Sequence, residues 1–154
     1  MVKLSIVIPC YNEEKRIGET LTRCLRYLKS SKYNFELIVV NDGSKDRTAD
    51  VVKRFKEVKL IDNKLNHGKG YVVKQGVLSS KGDYVLFCDA DLSTPIEETG
   101  KLMKYVKDFD VVIASRAIEG ANVKTLTHRK FFGRIFAFLV NFLAKLFKTV
   151  SSRC

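Results

Sequence analysis

Short apolar runs alternate with longer helical patterns along the first 115 residues, and this alternation restricts the fold more than any other feature. The runs predict five strands, at 4–9, 35–41, 58–62, 83–89 and 110–115. The segments between them predict helices at 14–30, 46–57, 70–80 and 95–107. Because strands that alternate with helices form βαβ units, we expect an α/β fold with a mainly parallel sheet and right-handed crossovers.

The chain is strongly basic, with 28 Lys and Arg against 17 Asp and Glu among 154 residues and a net charge of +11. This charge indicates an anionic partner, which is a phosphate-rich substrate, an acidic membrane surface or a nucleic acid. Nucleic acid is the least favoured because the basic residues are dispersed and no recognition motif is present. The four cysteines form no CxxC pair, and no stretch reaches the roughly 20 apolar residues of a spanning helix. We therefore expect a cytoplasmic or cytoplasm-facing protein.

Two carboxylates, Asp89 and Asp91, follow the apolar run at 84–88. In open α/β sheets, ligands bind just beyond the carboxyl ends of the strands. On an extended chain, residues two apart lie on the same side, with Cα atoms roughly 6.6 Å apart. Such a pair can hold one Mg²⁺ or Mn²⁺ and leave positions open for substrate phosphates. The sequence therefore predicts a metal-assisted nucleotide site here.

Two other predicted strand ends also carry polar side chains. Pro9 ends the first strand and is followed by Tyr11, which could stack on a base, and by Glu13, which could accept hydrogen bonds from base or sugar. Asp42 ends the second strand ahead of a Gly-Ser turn. The alternative for the first group is a simple strand-to-helix turn. The alternative for Asp42 is a turn residue satisfied by backbone N–H groups.

Basic residues at three further places are candidates for phosphate contacts. Lys69, between two glycines at the start of a predicted helix, lies where backbone amides approach a phosphate. Arg116 follows the predicted fifth strand, and Arg129 precedes an apolar segment. Arginine can bind phosphate through two parallel hydrogen bonds. The alternative is that these are ordinary solvated cations.

The segment 130–148 has a different character from the rest of the chain. It is rich in Phe and Leu, and its polar residues recur at helical spacing, which predicts one basic stripe on an apolar helix. Such a helix suits a membrane interface, and it also suits packing against the sheet or a partner. The charge and the excess of Phe favour the membrane.

Four strand-end motifs, at 9–13, 41–44, 89–91 and 115–116, resemble in this order those of family 2 glycosyltransferases of the GT-A fold. Within that family the chain most resembles the dolichyl- or polyprenyl-phosphate hexose synthases. The resemblance extends from residue 1 to about residue 148. It implies a GT-A, Rossmann-like domain at 1–129, an interfacial amphipathic helix at 130–148 and a short tail at 149–154, on the cytoplasmic face of a membrane.

The resemblance also implies a role for each candidate residue. Asp89 and Asp91 would hold Mg²⁺ or Mn²⁺ on the diphosphate of a nucleotide-sugar donor. Arg116 and Arg129 would hold the phosphate of a polyprenyl or dolichyl acceptor, with Asp91 and both arginines as the catalytic group. The residues implied to bind the donor are Pro9, Tyr11, Glu13, Asp42, Lys69 and Asp89.

The expected reaction is inverting transfer of a hexose, glucose before mannose, to a lipid phosphate. A hydroxyl acceptor needs a general base, and the region after the predicted fifth strand offers only Glu119. A phosphate acceptor is already an anion and needs none. Two alternatives stay open, a nucleotide-sugar-binding or membrane-associated module without turnover and a family 2 transferase with a carbohydrate acceptor.

Overall fold

The computed structural model of the protein describes residues 3–114, in which four parallel strands form one sheet. The strands are β1 (Lys3–Cys10), β2 (Asn34–Asp42), β3 (Val58–Asn63) and β4 (Tyr84–Phe87). The helices are α1 (Ile17–Ser30), α2 (Thr48–Lys53), α3 (Lys69–Leu78), a 3₁₀ turn (Ile96–Glu98) and α4 (Thr99–Leu102). The predicted α/β fold with a mainly parallel sheet is confirmed.

The order of the strands across the sheet is β3-β2-β1-β4. The chain moves outward from β1 to β2 and β3, and then returns to the other side of β1 to form β4. The direction of winding therefore reverses between β1 and β4. In open α/β sheets, a crevice forms beyond the carboxyl ends of the two strands at such a switch point.

Both faces of the sheet are apolar, as expected for parallel strands covered by helices. Alternate residues of β1 point to opposite faces, so Ile6 and Ile8 belong to one buried cluster and Val7 to another. The first cluster includes Ile17 and Leu21 of α1. On the other face, α3 packs against β1 and β2.

Gly76 allows α3 to approach the sheet closely. A Cβ atom at this position would lie 2.3 Å from Cγ1 of Val7 and 3.0 Å from Cγ2 of Val40. Both valines are fully buried. The absence of a side chain at Gly76 therefore sets the distance between α3 and the two central strands.

The predicted strand at 110–115 is wrong for residues 110–114, which form no strand. Within the described residues no strand pairs with this segment, so its backbone groups have no ladder partner there. Val111 and Ile113 are 79% and 76% exposed, instead of lying in the core. An apolar run alone therefore did not specify a strand.

The predicted helix at 95–107 is also shorter than expected. A 3₁₀ turn and the four-residue α4 take its place. Ile96 is buried in the core, and Glu97 accepts two hydrogen bonds, of 3.1 and 2.8 Å, from Arg23 of α1. These tertiary contacts hold the segment, and Gly100 weakens its helical continuation.

The predicted interfacial helix at 130–148 and the tail at 149–154 lie outside the described residues. Between residues 3 and 114, no helix has the length and apolar character needed to cross a membrane.

Candidate functional site

A cavity of about 530 Å³ lies at the carboxyl ends of β1 and β4, where the winding of the sheet reverses. The structure brings seven of the nine predicted site residues to its wall. They are Pro9, Tyr11, Glu13, Asp42, Lys69, Asp89 and Asp91. Their shared location is a finding, and the role of each remains a prediction.

The end of β1 explains why the sheet opens at this place. The carbonyl of Val7 accepts a hydrogen bond from the Cys88 amide (3.1 Å), which shows that position 7 turns its backbone groups toward β4. Position 9 faces the same side, because residues two apart are equivalent in a strand. Proline has no N–H to donate there, and the β1–β4 ladder ends at Val7 and Phe87. The β1–β4 ladder therefore ends before Pro9, which has no backbone N–H to continue it.

The segment 89–91 forms a turn at residues 90 and 91, rather than the extended chain assumed from the sequence. One carboxylate oxygen of Asp91 accepts the amide of Ser93 (2.8 Å). The buried carbonyl of Ala90 accepts the hydroxyl of Thr20 on α1 (2.5 Å). Thr20 therefore anchors the acidic turn to α1, and sequence analysis missed it because a threonine on an apolar helix face carries no motif.

Lys69 and Asp89 form an ion pair across the cavity. Nζ of Lys69, the first residue of α3, lies 2.6 Å from Oδ1 of Asp89. The same ammonium lies 5.4 Å from the centre of the Phe87 ring. Both charged side chains are partly exposed, so this is a solvated pair at the cavity wall. Asp89, one of the two predicted metal ligands, is therefore paired with the ammonium group of Lys69.

Asp42 is almost fully buried, with 3% of its surface exposed. Its two carboxylate oxygens accept the backbone amides of His67 (2.7 Å) and Gly68 (2.9 Å). Gly68 has a φ of 89°, which favours glycine, and it directly precedes α3. Asp42 thus holds the loop before α3. Asp42 therefore binds backbone N–H groups, as in the alternative given for it from the sequence. These N–H groups, however, belong to a loop 25 residues away and not to the turn that follows Asp42.

Glu13 is oriented by Arg16, three residues further along the chain. Nε of Arg16 lies 2.7 Å from one carboxylate oxygen of Glu13, and Nη2 lies 2.9 Å from the other. The hydrogen bonds to Glu13 raise the pKa of the Arg16 guanidinium. Tyr11, in contrast, is 42% exposed, so one part of its ring is accessible to a planar ligand. Arg16 belongs to no motif, and its spacing from Glu13 is the one indication of its role in the sequence.

Cys10 lines the cavity, and its thiol, like those of Cys24 and Cys88, is not suited to nucleophilic catalysis. Burial, together with the nearby carboxylates, raises the pKa of Cys10 to about 12. Burial raises the pKa of Cys24 to about 11 and also raises that of Cys88. Because the thiolate is the reactive form of cysteine, these residues act as small apolar groups.

Two carboxylates in the cavity wall are of the chemical type that binds a divalent metal. Asp89 and Asp91 supply hard oxygen ligands to the cavity. Among residues 3–114, no group of three or more His, Cys, Asp or Glu side chains forms a complete metal site. Mg²⁺ is commonly held by one or two carboxylates with phosphate oxygens and waters in the other positions, and this pair meets that description. The predicted phosphate ligands Arg116 and Arg129 lie outside the described residues.

Comparison with known proteins identifies the family. A model of glycosyl transferase family 2 matches residues 5–152. The chain belongs to glycosyl transferase family 2. This family 2 chain is 39% identical over 145 residues to dolichyl-phosphate beta-glucosyltransferase ALG5A of Trichomonas vaginalis. The match covers 84% of this chain and 45% of that relative, so the chain spans about half the length of the curated relative.

Solved structures show that the fold of this family 2 chain is of the GT-A type. S. aureus TarS (1–349) in complex with UDP-GlcNAc superposes with a TM-score of 0.55 at 28% identity. The mannosyltransferase PcManGT from Pyrobaculum calidifontis, in complex with GDP-Man and Mn²⁺, superposes with a TM-score of 0.58 at 24% identity. Each match covers 68% of this chain and 32% of the other. The predicted GT-A fold and the predicted family are confirmed.

Proposed function

We propose that this family 2 chain is the donor-binding and catalytic part of an inverting hexosyltransferase. The donor is UDP-glucose, with GDP-mannose as the second choice, and the acceptor is a dolichyl or polyprenyl phosphate. The observation that carries the proposal is the convergence of Tyr11, Asp42 and the Asp89–Asp91 pair on one cavity at the switch point. Similarity to a dolichyl-phosphate beta-glucosyltransferase supports the choice of sugar and acceptor.

In this proposal the donor lies across the cavity, from the end of β1 to the end of β4. The exposed part of the Tyr11 ring stacks on the base, and Glu13, held by Arg16, accepts hydrogen bonds from base or ribose. Asp42 holds the loop before α3 through hydrogen bonds from two backbone amides. Because Asp42 also lines the cavity, it is proposed to accept a further hydrogen bond from the nucleoside. The diphosphate then lies near Lys69, at the start of α3, where backbone amides also favour an anion.

Asp89 and Asp91 would hold Mg²⁺ or Mn²⁺ together with the diphosphate. A divalent metal supplies Lewis-acid stabilisation of the charge that develops on the departing nucleotide. The PcManGT complex with Mn²⁺ supports this choice of metal. On the acceptor side, a lipid phosphate is already an anion, so no general base is needed to activate it. Arg116 and Arg129 are proposed to hold that phosphate.

The proposal is tested by a transfer assay on the full chain. Labelled UDP-glucose and GDP-mannose are offered in parallel, with polyprenyl phosphate and Mg²⁺ or Mn²⁺, against a chelated control. We expect metal-dependent label in the lipid fraction from UDP-glucose. Donor binding without label in lipid would reject turnover by this chain and favour a binding module. Label transferred only to an added oligosaccharide would favour the carbohydrate-acceptor alternative.

Asp91→Asn tests the metal role within the same assay. Because the metal ion contributes several kcal/mol of charge stabilisation and a neutral amide holds it less well than a carboxylate does, we expect transfer to fall by about 100-fold or more. Asp50→Asn is the matched control, since it makes the same chemical change at an exposed position on α2, away from the cavity. Equal activity of the two variants would reject Asp91 as a metal ligand.

A lipid acceptor also requires access to a membrane, and we propose that residues 130–148 supply it as an interfacial helix. Phe138→Glu should then reduce co-sedimentation with liposomes that contain anionic lipid, because a charge enters the apolar face. Phe138→Leu, which stays apolar, should retain it. Undiminished association of the Glu variant would favour the alternative of packing within the protein.

A further inference from the structure

The ion pair between Lys69 and Asp89 joins the start of α3 to one of the two predicted metal ligands. The two residues are 20 positions apart, and their charged atoms lie 2.6 Å apart. Both side chains line the cavity that is proposed to bind the donor. Asp89 therefore already has a positive partner without any metal ion.

The backbone on both sides of this pair is held in place. Asp42 binds the two amides directly before Lys69, and α3 is set against the sheet at Gly76. On the other side, Thr20 binds the carbonyl next to Asp89. The Lys69 side chain itself is 63% exposed. Breaking the ion pair thus requires only rotation of a long, solvated side chain.

From this arrangement we propose that Lys69 neutralises Asp89 until a divalent cation replaces it, and then contacts the diphosphate of the donor. This inference rests on the proposed function. An ammonium and a divalent cation repel each other, so both cannot be held at one carboxylate oxygen without cost. The diphosphate would be the strongest anion within the same cavity, and lysine commonly binds phosphate as a point charge. Lys69 would therefore oppose loading of metal alone and favour loading of metal together with donor.

The test is a pair of binding titrations on the full chain, without any measurement of turnover. Lys69→Met removes the charge and keeps much of the side-chain length. Without nucleotide, we expect it to bind Mn²⁺ about two- to fivefold more tightly than the wild type, because a partly exposed competing ion pair is lost. With saturating Mn²⁺, we expect UDP to bind about tenfold more weakly, since one charge-assisted contact is lost.

Two further variants serve as controls. Lys74→Met removes the same charge from an exposed position on α3 outside the cavity wall, and it should change neither affinity. Lys69→Arg keeps the charge and the pairing, so it should not tighten Mn²⁺ binding. Because Lys69 is exposed, all three variants are expected to fold, which circular dichroism verifies.

Tighter Mn²⁺ binding together with weaker UDP binding in Lys69→Met supports the proposed exchange, in which a divalent cation replaces Lys69 at Asp89. Unchanged or weaker Mn²⁺ binding would overturn it, and so would failure of both the wild type and Lys69→Met to bind Mn²⁺ without nucleotide. Either result leaves a positive transfer assay untouched. Conversely, opposite changes without any transfer would retain the exchange and reject the proposed reaction.

Discussion

Alanine at position 76 should destabilise the protein, although alanine is the better helix former. Its Cβ would lie 2.3 Å from Cγ1 of Val7 and 3.0 Å from Cγ2 of Val40. Overpacking of a core costs about 1–3 kcal/mol, and a 2.3 Å contact between fully buried groups places this site in the upper part of that range. The gain in helix propensity is about 1 kcal/mol. We therefore expect Gly76→Ala to lower the free energy of unfolding by about 1–2 kcal/mol.

Gly70→Ala is the matched control in the same helix. A Cβ at position 70 meets no atom within 4 Å, so the change restricts the unfolded chain without a clash. We expect this variant to be more stable than the wild type by about 0.4–1 kcal/mol. Urea denaturation followed by far-UV circular dichroism measures both variants.

Equal stabilities of the two alanine variants would refute the argument that contact with β1 and β2 limits the approach of α3. The clash also has a consequence at the site. To bring the new Cβ to an ordinary contact distance from Val7, α3 must move by about 1 Å. Lys69 lies two turns before Gly76 on the same face of α3, so it moves as well. The affinity of Gly76→Ala for UDP should therefore fall as well.

Three further predictions concern the surroundings of the cavity. Burial raises the pKa of Cys10 to about 12 and that of Cys24 to about 11. Iodoacetamide at about pH 8 should therefore label neither thiol in the native protein and both thiols in urea, as measured by peptide mass spectrometry. Rapid labelling of the native protein would show that the thiols are reactive. Burial by itself would raise the pKa of Asp46, but hydrogen bonds from Thr48 and the amide of residue 14 lower it below its ordinary value. The stability that this carboxylate contributes is therefore present above about pH 4 and lost as the pH falls below it. In Asp46→Asn, the free energy of unfolding measured by urea titration should fall less steeply with acid than in the wild type. An equal fall in both proteins would exclude Asp46 as the cause of the acid dependence. Asp42→Asn replaces one acceptor oxygen by a donor, so hydrogen exchange at one of the two loop amides should accelerate about tenfold; unchanged protection of both by NMR would show that Asp42 does not hold the loop.

The elements predicted best are those in which local pattern and tertiary environment agree. β1 and β2 are short runs with buried side chains on both faces, and β3 is a half-buried run. The structure places all three within one or two residues of the predicted bounds. The polar residues that follow β1, β2 and β4 were expected at one edge of the sheet, and they line one cavity. Parallel strands bring their carboxyl ends to the same edge, so this grouping follows from the order of elements.

The predictions that failed depended on partners that a local pattern does not contain. Val111 and Ile113 have the spacing of a strand, but a strand also needs a neighbour for its backbone groups. The segment from Ile96 has helical spacing, yet Arg23 and the core hold it as a 3₁₀ turn followed by a short helix. In the second case contacts between distant parts of the chain outweighed helix propensity, and in the first the described residues supply no neighbouring strand.

The sequence by itself determined the kind of protein: a βαβ chain of family 2 with acidic strand ends suited to a nucleotide and a divalent cation. These features are local, because they depend on residue type and on spacing within single elements. Only the tertiary structure decided which groups meet in the cavity. Lys69 with Asp89, Asp42 with the loop at 67–68, and Thr20 with Ala90 are separated by 20, 25 and 70 residues. Such contacts depend on strand order and on the close approach of α3 to the sheet, which no local pattern encodes.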